Sequence, residues 1–173
     1  MNRYGPFVHL VLECLDLDTP FLPLESLYDF AKRKNLRGFT RDKYTNALWK
    51  MNRSGYLKII KKNDQKFLKI TNKGQLEKLL QKAGLDVAKN WDGKWRVIIF
   101  DIPESFHHLR DHFRWMLKKN NFKKLQASVF ISPYPLNRDA IQYLTETKLI
   151  NFIRIIKVEE MDNDKDLRKM FNL

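Results

Sequence analysis

The stretch WDGKWRVIIFDIP, residues 91–103, does most to decide the fold of this chain. Its core, Val97 to Phe100, is a short apolar run rich in β-branched residues and without polar alternation. Such a run predicts a strand that is buried on both faces and is ended by Pro103. An acidic residue, Asp101, follows the run directly. An acid at the tip of a buried strand either supplies chemistry or caps the next helix, so its role depends on the rest of the chain.

The composition indicates a folded protein. The 173 residues are 43% hydrophobic and 13% aromatic, which is enough to build one ordinary domain or two small ones. No apolar stretch approaches the roughly 18 residues of a membrane helix, and acids occupy the N-terminal region where a signal peptide has its cleavage site. We therefore expect a cytoplasmic protein. The single cysteine, Cys14, excludes an internal disulfide and a cysteine-based zinc cluster.

The charge predicts a polyanionic partner. The chain carries a formal net charge of +13, which suggests nucleic acid but does not by itself separate DNA from RNA or anionic lipid. Residues 1–85 hold 17 basic and 8 acidic residues, a net charge of +9, and residues 86–173 hold 16 and 12, a net charge of +4. The N-terminal half is therefore the better candidate for the contact with nucleic acid.

Two amphipathic helices are predicted in the first half. Pro23 suits a first helical position, and the apolar residues Leu24, Leu27, Tyr28 and Ala31 follow at helical spacing.

The second helix begins after Thr40, a good N-cap, with Asp42 in its first turn. Its apolar stripe comprises Tyr44, Ala47, Leu48 and Met51. Polar and basic residues occupy the opposite side, namely Lys43, Asn46, Lys50 and Arg53. One face can pack into a core while the other binds phosphates and base edges, as a recognition helix requires.

A basic hairpin is predicted directly after that helix. Residues 56–60 and 66–70 are β-rich, and the polar residues 61–65 form the turn between them. A last helix covers residues 72–83. This order predicts a winged helix-turn-helix, with the second helix in the major groove and the wing on flanking phosphates. The expected DNA-binding residues are Arg41, Lys43, Asn46, Lys50, Arg53, Lys61, Lys62 and Lys66. A plain helical bundle with solvated lysines is the alternative.

The second half changes to an alternation of strands and helices. After the first strand, Phe106, Leu109, Phe113, Met116 and Leu117 repeat at helical spacing, and this helix ends near residues 120 and 121. A bend splits residues 125–132 into two strands, Asn137 caps a further helix bearing Ala140, Ile141 and Leu144, and a strand follows in INFIRIIKV. The order βαββαβ predicts a ferredoxin-like sheet. We therefore expect an α+β chain with a winged-helix domain over residues 1–87 and a ferredoxin-like domain over residues 88–173.

These residues resemble two known families. Residues 91–133, WDGKWRVIIFDIPESFHHLRDHFRWMLKKNNFKKLQASVFISP, resemble the middle domain of PaaX-type transcriptional repressors, and the part FDIPE…R…LQASVF resembles the CRISPR-associated Cas-two proteins. Residues 48–74, LWKMNRSGYLKIIKKNDQKFLKITNKG, are similar to the PaaX winged helix. PaaX repressors continue with a further C-terminal domain that has no counterpart in these residues, so any ligand sensing that resides there does not carry over.

The resemblance implies two roles for Asp101. In Cas-two proteins the matching aspartate is the proposed metal-binding nuclease residue, contributed by both protomers of a dimer, whereas in PaaX-like proteins it implies only shared ancestry. A phosphodiester hydrolase usually needs several carboxylates to hold Mg²⁺, so Asp101 is a sparse site even with help from Glu104. The adjacent His107 and His108 do not share one helix face as a metal pair would. Asp101 remains the candidate catalytic and metal residue.

Three further features have both a functional and a structural interpretation. Arg110, Arg114 and Lys118 form a basic line that either contacts DNA or is a solvated helix face. Trp91 and Trp95 are expected to pack a domain junction rather than stack on bases. The tail EEMDNDKDLRKMFNL predicts a short amphipathic helix that covers a sheet edge or joins a dimer interface.

We interpret the chain as a homodimeric regulator of transcription that binds double-stranded DNA, needs no cofactor and has no membrane association. The alternative is a CRISPR adaptation subunit with an integrase partner, or a Mg²⁺-dependent nuclease with a winged-helix extension. An enzymatic role is not the expectation.

Overall fold

The computed structural model describes residues 6–15, 21–34, 38–84 and 90–173. The chain forms two compact units, residues 1–78 and 79–173. The predicted boundary between residues 87 and 88 lies in the stretch 85–89, outside the described residues, so the predicted domain limits remain a prediction. Both units combine helices with antiparallel sheets, which confirms the α+β class.

The first unit contains a three-stranded antiparallel sheet and helices around it. The elements in chain order are α1 (Pro6–Cys14), β1 (Leu22–Pro23), α2 (Leu24–Arg33), α3 (Arg41–Arg53), β2 (Leu57–Lys62), β3 (Gln65–Ile70) and the first part of α4 (Asn72–Lys82), a helix that continues past the limit of the unit at residue 78. The strand order is β1-β3-β2. Pro23, predicted as the first helical residue, is instead the last residue of β1 and the N-cap of α2, so the helix begins one residue later than predicted.

Helix α3 follows its sequence signals closely. Thr40 is its N-cap, and the Thr40 hydroxyl accepts a hydrogen bond from the Lys43 backbone N–H at 3.3 Å. Tyr44, Leu48 and Met51 are buried, as the stripe predicts. The Tyr44 hydroxyl donates to the Leu24 carbonyl oxygen at 2.8 Å, and burial raises the pKa of this phenol. The helix is therefore fixed through its apolar side, and its opposite side is left to solvent.

The turn of the hairpin contains two residues rather than the five that were predicted. Asn63 and Asp64 have φ values of 47° and 55°, which is the backbone of a type I′ turn. Asn and Asp tolerate this left-handed conformation, so strand pairing continues to Lys62 opposite Gln65. Lys61 and Lys62 consequently lie in strand β2, and the prediction that residues 61–65 form the turn was wrong in extent.

One apolar cluster holds the first unit together. Cys14 packs against it and is only partly buried, and burial raises the pKa of its thiol. The buried members are Val11, Leu12, Leu15, Leu27, Tyr44, Leu48, Met51, Tyr56, Leu57, Leu68 and Ile70. These residues come from α1, α2, α3 and the hairpin, so the cluster fixes α3 against the sheet.

A close backbone approach joins the hairpin to α4. The Thr71 hydroxyl lies 2.6 Å from the Gly55 carbonyl oxygen and accepts a hydrogen bond from the Gly74 backbone N–H at 3.1 Å. A Cβ atom placed on Gly74 would overlap the carbonyl oxygen of Tyr56 and come within 2.7 Å of the Ile70 side chain. Only glycine fits at this position.

We predict that Gly74→Ala destabilises the protein. Removing a helical glycine usually gains up to about 1 kcal/mol of helix propensity, but here the methyl group must displace backbone, and overpacking of this kind costs about 1–3 kcal/mol. Urea denaturation should therefore show a lower midpoint for Gly74→Ala and an almost unchanged midpoint for Asn72→Ala, an exposed position in the same helix. A more stable Gly74→Ala protein would contradict the close approach.

The second unit shows the predicted alternation of elements. These are β4 (Trp95–Phe100), α5 (His107–Lys119) after a 3₁₀ turn (Glu104–Phe106), β5 (Lys123–Gln126), β6 (Val129–Ser132), α6 (Arg138–Glu146), β7 (Ile153–Val158) after a second 3₁₀ turn (Leu149–Phe152), and α7 (Lys165–Phe171). The sheet is antiparallel with strand order β5-β6-β4-β7. The Asn137 side chain caps α6 by accepting from the Ala140 N–H at 2.7 Å, as predicted.

The two faces of this sheet differ in burial. Ile98 and Phe100 are buried, and the Phe100 ring packs edge-on against Phe113 of α5. Ile99 points to the other face and is 42% exposed. The prediction that β4 is buried on both faces was therefore wrong, because an antiparallel sheet can leave one face open. Ile141 of α6, predicted as part of an apolar stripe, is also exposed, and Tyr143 is buried in its helix instead.

Helix α7 covers part of the second sheet face. Leu167 packs with the buried Trp95 and Ile131, and the Phe171 ring lies 5.7 Å from Trp95. The Trp95 indole N–H donates to Asp164 at 3.1 Å. The tail therefore forms the predicted helix but lies on a face of the sheet rather than along an edge.

The paired tryptophans pack within the second unit. The rings of Trp91 and Trp95 lie 5.3 Å apart, and the Arg168 guanidinium lies 4.7 Å from the Trp91 ring centroid. Packing rather than base stacking is thus the observed role, but the contacts are with α7 and the sheet. The prediction of a domain-junction role is replaced by this local one.

A buried asparagine links helix ends in the second unit. The Asn120 side chain is fully buried and donates to the carbonyl oxygens of Ala83 and Met116, and its oxygen accepts from the Asn137 N–H at 3.4 Å. These bonds satisfy the Ala83 carbonyl oxygen, which follows the end of α4, and the Asn137 N–H, which precedes α6. Helix α5 ends at Lys119 with Asn120 as its C-cap, close to the predicted end near residues 120 and 121.

Candidate nucleic-acid interface

The exposed side of α3 is the main candidate surface. Lys43, Asn46, Lys50 and Arg53 are all exposed, on the side away from the buried stripe. Within the part of the chain that the structure describes, the side chains of Asn46, Lys50 and Arg53 form no hydrogen bond or ion pair. Their polar groups are therefore available to an external partner.

Two basic residues near the start of α3 already have partners. Arg41 forms an ion pair with Glu25 at 2.7 Å, and its guanidinium lies 4.8 Å from the Tyr28 ring centroid. Lys43 donates from Nζ to the Gly38 carbonyl oxygen at 2.9 Å. These two predicted contacts would have to exchange an internal partner for an external one, so they are weaker candidates than Lys50 and Arg53.

The hairpin adds a second group of cations. Lys61 pairs with Asp64 across the turn at 2.7 Å, and both side chains are largely exposed. Lys62 and Lys66 are exposed and, among the described residues, have no ion-pair partner. The hairpin therefore presents exposed positive charge at Lys62 and Lys66, of the type that binds phosphate oxygens.

The sequence interpretation missed Trp49. This side chain is 66% exposed on α3, and Thr45, one turn earlier, is exposed beside it. The sequence did contain a signal for this exposure, because Trp49 directly follows Leu48 and therefore lies outside the apolar stripe. A large aromatic residue outside the stripe of an amphipathic helix faces solvent or a partner.

A groove of about 720 Å³ borders Trp49. It lies between the start of α2, helix α3 and the hairpin. Its lining residues are Pro23, Leu24, Glu25, Ser26, Arg41, Thr45, Leu48, Trp49, Ile59, Asp64, Gln65 and Lys66. The groove brings the exposed indole and the hairpin residue Lys66 to one side of the first unit.

Asp101 lies at the end of β4 with an exposed side chain. Its backbone N–H donates to the Phe152 carbonyl oxygen at 3.0 Å. Neither the 3₁₀ turn nor α5 receives a side-chain cap, so the predicted capping role of Asp101 was wrong. Pro103 and Phe106 occupy the N-cap positions and have no side-chain oxygen to offer.

The residues near Asp101 are engaged in a structural ion pair. Glu104 accepts from Arg110 at 2.8 Å, and His107 lies with its Nδ1 3.3 Å from the Glu104 carbonyl oxygen. Arg114, further along the predicted basic line, lies 3.9 Å from Asp111. Across the described residues, no group of three or more His, Cys, Asp or Glu side chains is arranged to hold a metal ion.

The described residues contain no helix long and apolar enough to cross a membrane.

The comparisons with known proteins bear on the second unit. Residues 88–170 match the family described as the PaaX protein central Cas2-like domain. This part of the chain is similar to the PaaX central domain, and the predicted resemblance to PaaX-type proteins is confirmed.

The other comparisons add little. No curated protein matches the chain. Among solved structures, the chain is similar to an uncharacterized protein, Rv0674, from Mycobacterium tuberculosis, with 16% sequence identity and a TM-score of 0.38. That match covers 78% of this chain and 53% of the other, so this chain spans about half the length of that protein.

We predict that Asp101→Asn leaves the affinity for duplex DNA unchanged within about twofold. The substitution preserves the shape of the side chain, and Asp101 lies in the unit that lacks the α3 surface. Fluorescence anisotropy with a labelled duplex measures the affinity, and incubation with Mg²⁺ or Mn²⁺ measures cleavage. Metal-dependent cutting by the wild type that Asp101→Asn abolishes would instead assign Asp101 to a nuclease site.

Proposed function

We propose that the chain is a dimeric regulator of transcription of the PaaX-like type that binds double-stranded DNA through a winged helix in its first unit. The PaaX-type central domain over residues 88–170 supports the regulatory class at the family level. DNA binding, dimerisation and the winged-helix assignment are parts of this proposal.

The connectivity of the first unit supports a winged helix. Three helices, α1 to α3, precede the β2-β3 hairpin. The short strand β1 lies between α1 and α2 in the chain and pairs with β3. In winged helices of this connectivity, the helix before the hairpin enters the major groove and the hairpin contacts flanking phosphates.

The observation that carries the proposal is the exposed basic face of α3, where two cations have no partner among the described residues. Lys50 and Arg53 are exposed and, among the described residues, unpaired, and α3 is held through Tyr44, Leu48 and Met51 on its other side. Cations without internal partners are free to release counterions from a DNA backbone, which is the main source of affinity for duplex DNA.

The proposed dimer uses the second unit. Its strand order, β5-β6-β4-β7, supports a ferredoxin-like sheet, as does the place of the helices in the chain, with α5 between β4 and β5 and α6 between β6 and β7. Ile99 and Ile156 lie on the same face of neighbouring strands and are each 42% exposed. A two-fold axis through this open apolar face would present two α3 helices to a palindromic site.

We predict that Lys50→Ala and Arg53→Ala each weaken duplex binding and reduce its salt dependence. Each lost phosphate contact should lower the slope of log K against log salt by about 0.9. Fluorescence anisotropy with a labelled duplex over a series of salt concentrations measures both quantities.

The matched control for these variants is Lys165→Ala, an exposed lysine of α7 in the second unit. It should leave the affinity and the slope unchanged. Equal binding by wild type, Lys50→Ala and Arg53→Ala would reject the placement of α3 on DNA.

We predict that the full chain is a dimer and that Ile99→Glu converts it to a monomer. A carboxylate on the open face would lose its hydration against the partner sheet, and its cross-strand neighbour Arg154 would offset only part of this desolvation cost. Light scattering at tens of micromolar should give twice the monomer mass for wild type and for Ile141→Glu, an exposed isoleucine of α6 that serves as control. A monomeric wild type would contradict the proposed dimer.

A CRISPR-associated role is the second candidate. The match of residues 88–170 to a Cas2-like domain and the exposed Asp101 at the end of β4 favour it. It would require an integrase partner or Mg²⁺-dependent cleavage with Asp101 contributed from both protomers. The first candidate requires neither a metal nor another cofactor.

A further inference from the structure

Trp49 occupies an unusual position on α3. At 3.6 residues per turn, it lies about 100° to 160° around the helix from Leu48, Tyr44 and Met51. Its side chain is 66% exposed, the largest value among the exposed large hydrophobic side chains of the described residues. The indole therefore contributes little to the core of the first unit.

The surroundings of Trp49 on the helix surface are polar. Its neighbours three and four residues away are Thr45, Asn46, Asn52 and Arg53, and all four are exposed. No aromatic ring or cation among the described residues is in contact with the indole. Single exposed hydrophobic residues are common and need no explanation, but this one lies at the edge of the basic face, one turn before Arg53.

The groove beside Trp49 adds a second observation. The indole forms one wall, and the hairpin residues Ile59, Gln65 and Lys66 form another. The charged residues of the lining are the acids Glu25 and Asp64 and the cations Arg41 and Lys66, so the groove itself is not a basic surface. The indole is its large exposed apolar group, and Arg53, which is exposed and has no ion-pair partner among the described residues, lies one turn further along α3.

We propose that Trp49 is a specificity-determining residue that packs its indole against the 5-methyl group of thymine in the major groove. The inference rests on the proposed function. In the major groove, the thymine methyl is the apolar group that distinguishes one base pair from the others. The indole carries no charge, so it contributes apolar contact with bases, while Lys50 and Arg53 bind phosphates.

This division of roles predicts different signatures for the two kinds of residue. Loss of a cation lowers affinity and the salt slope for every duplex. Loss of the indole lowers affinity only where a thymine methyl is present and leaves the salt slope unchanged, because no phosphate contact is removed.

The test compares two labelled duplexes of 24 base pairs, one of alternating dA and dT and one in which deoxyuridine replaces every thymidine. One buried methyl group corresponds to about fourfold in affinity, so wild type should bind the thymine duplex at least about fourfold more tightly. Trp49→Ala should bind both duplexes equally, with the wild-type salt slope, and Trp49→Phe should retain part of the preference.

Two controls separate the inference from general effects. Lys50→Ala should lose affinity and slope but keep the preference for thymine. Because Trp49 is exposed, Trp49→Ala should keep the thermal unfolding midpoint of wild type, which excludes misfolding as the cause of any change.

The outcomes distinguish this inference from the proposed function. Failure of wild type to bind either duplex at low salt rejects the proposed function itself. Salt-dependent binding of both duplexes with no thymine preference, or a preference that persists in Trp49→Ala, overturns the role of Trp49 and leaves the proposed function standing.

Discussion

The arrangement of the first unit depends on the junction of Thr71 and Gly74 with the end of α3. The Thr71 hydroxyl bonds to the Gly55 carbonyl oxygen, the Thr71 backbone N–H donates to the Tyr56 carbonyl oxygen at 3.1 Å, and Gly74 leaves no room for a side chain beside Tyr56. These contacts hold the last turn of α3, the base of the hairpin and the start of α4 together. The exposed face of α3 and the lysines of the hairpin are consequently held in one fixed relation, which a DNA-binding surface requires.

The two units use their charges differently. In the second unit, Arg96 binds Asp92 through two hydrogen bonds of 2.5 and 2.7 Å, and this contact holds the pKa of the Asp92 carboxyl well below its usual range. Arg168 likewise lowers the pKa of Asp164. Carboxyls with lowered pKa stabilise the fold above their ordinary pKa and lose this contribution as the pH falls through the lowered value. In the first unit, by contrast, Lys50 and Arg53 remain available to an outside partner.

Much of the local structure follows from the sequence. Thr40 and Asn137 are predicted and observed as caps because a short polar side chain before an apolar stripe satisfies free N–H groups at a helix start. The extent of the hairpin was predicted less well, since a two-residue turn at Asn63 and Asp64 is determined by left-handed backbone geometry that lysine-rich flanks obscure. Ile99 was misjudged because periodicity does not report which sheet face lacks a covering layer.

Some parts of the candidate site could likewise be predicted from the sequence, and others could not. The positions of Asn46, Lys50 and Arg53 follow from helical spacing alone, because side chains opposite a buried stripe must face outwards. The exposure of Trp49 follows from the same spacing, because it lies outside the apolar stripe, but the groove beside it depends on how the hairpin folds back towards α3, a tertiary contact that no local pattern contains. The absence of an Asp101 cap has the same origin, since the chain enters α5 through a 3₁₀ turn that begins after Pro103.

The central claim is that duplex DNA binds to the exposed face of α3 and to the hairpin. Titration of the ¹⁵N-labelled full chain with an unlabelled duplex, followed by amide NMR spectra, tests it residue by residue. We expect the largest chemical-shift changes at residues 41–53 and 61–66, with small changes in the sheet of the second unit. Changes concentrated in the second unit, with the amides of α3 unaffected at saturation, would contradict the account.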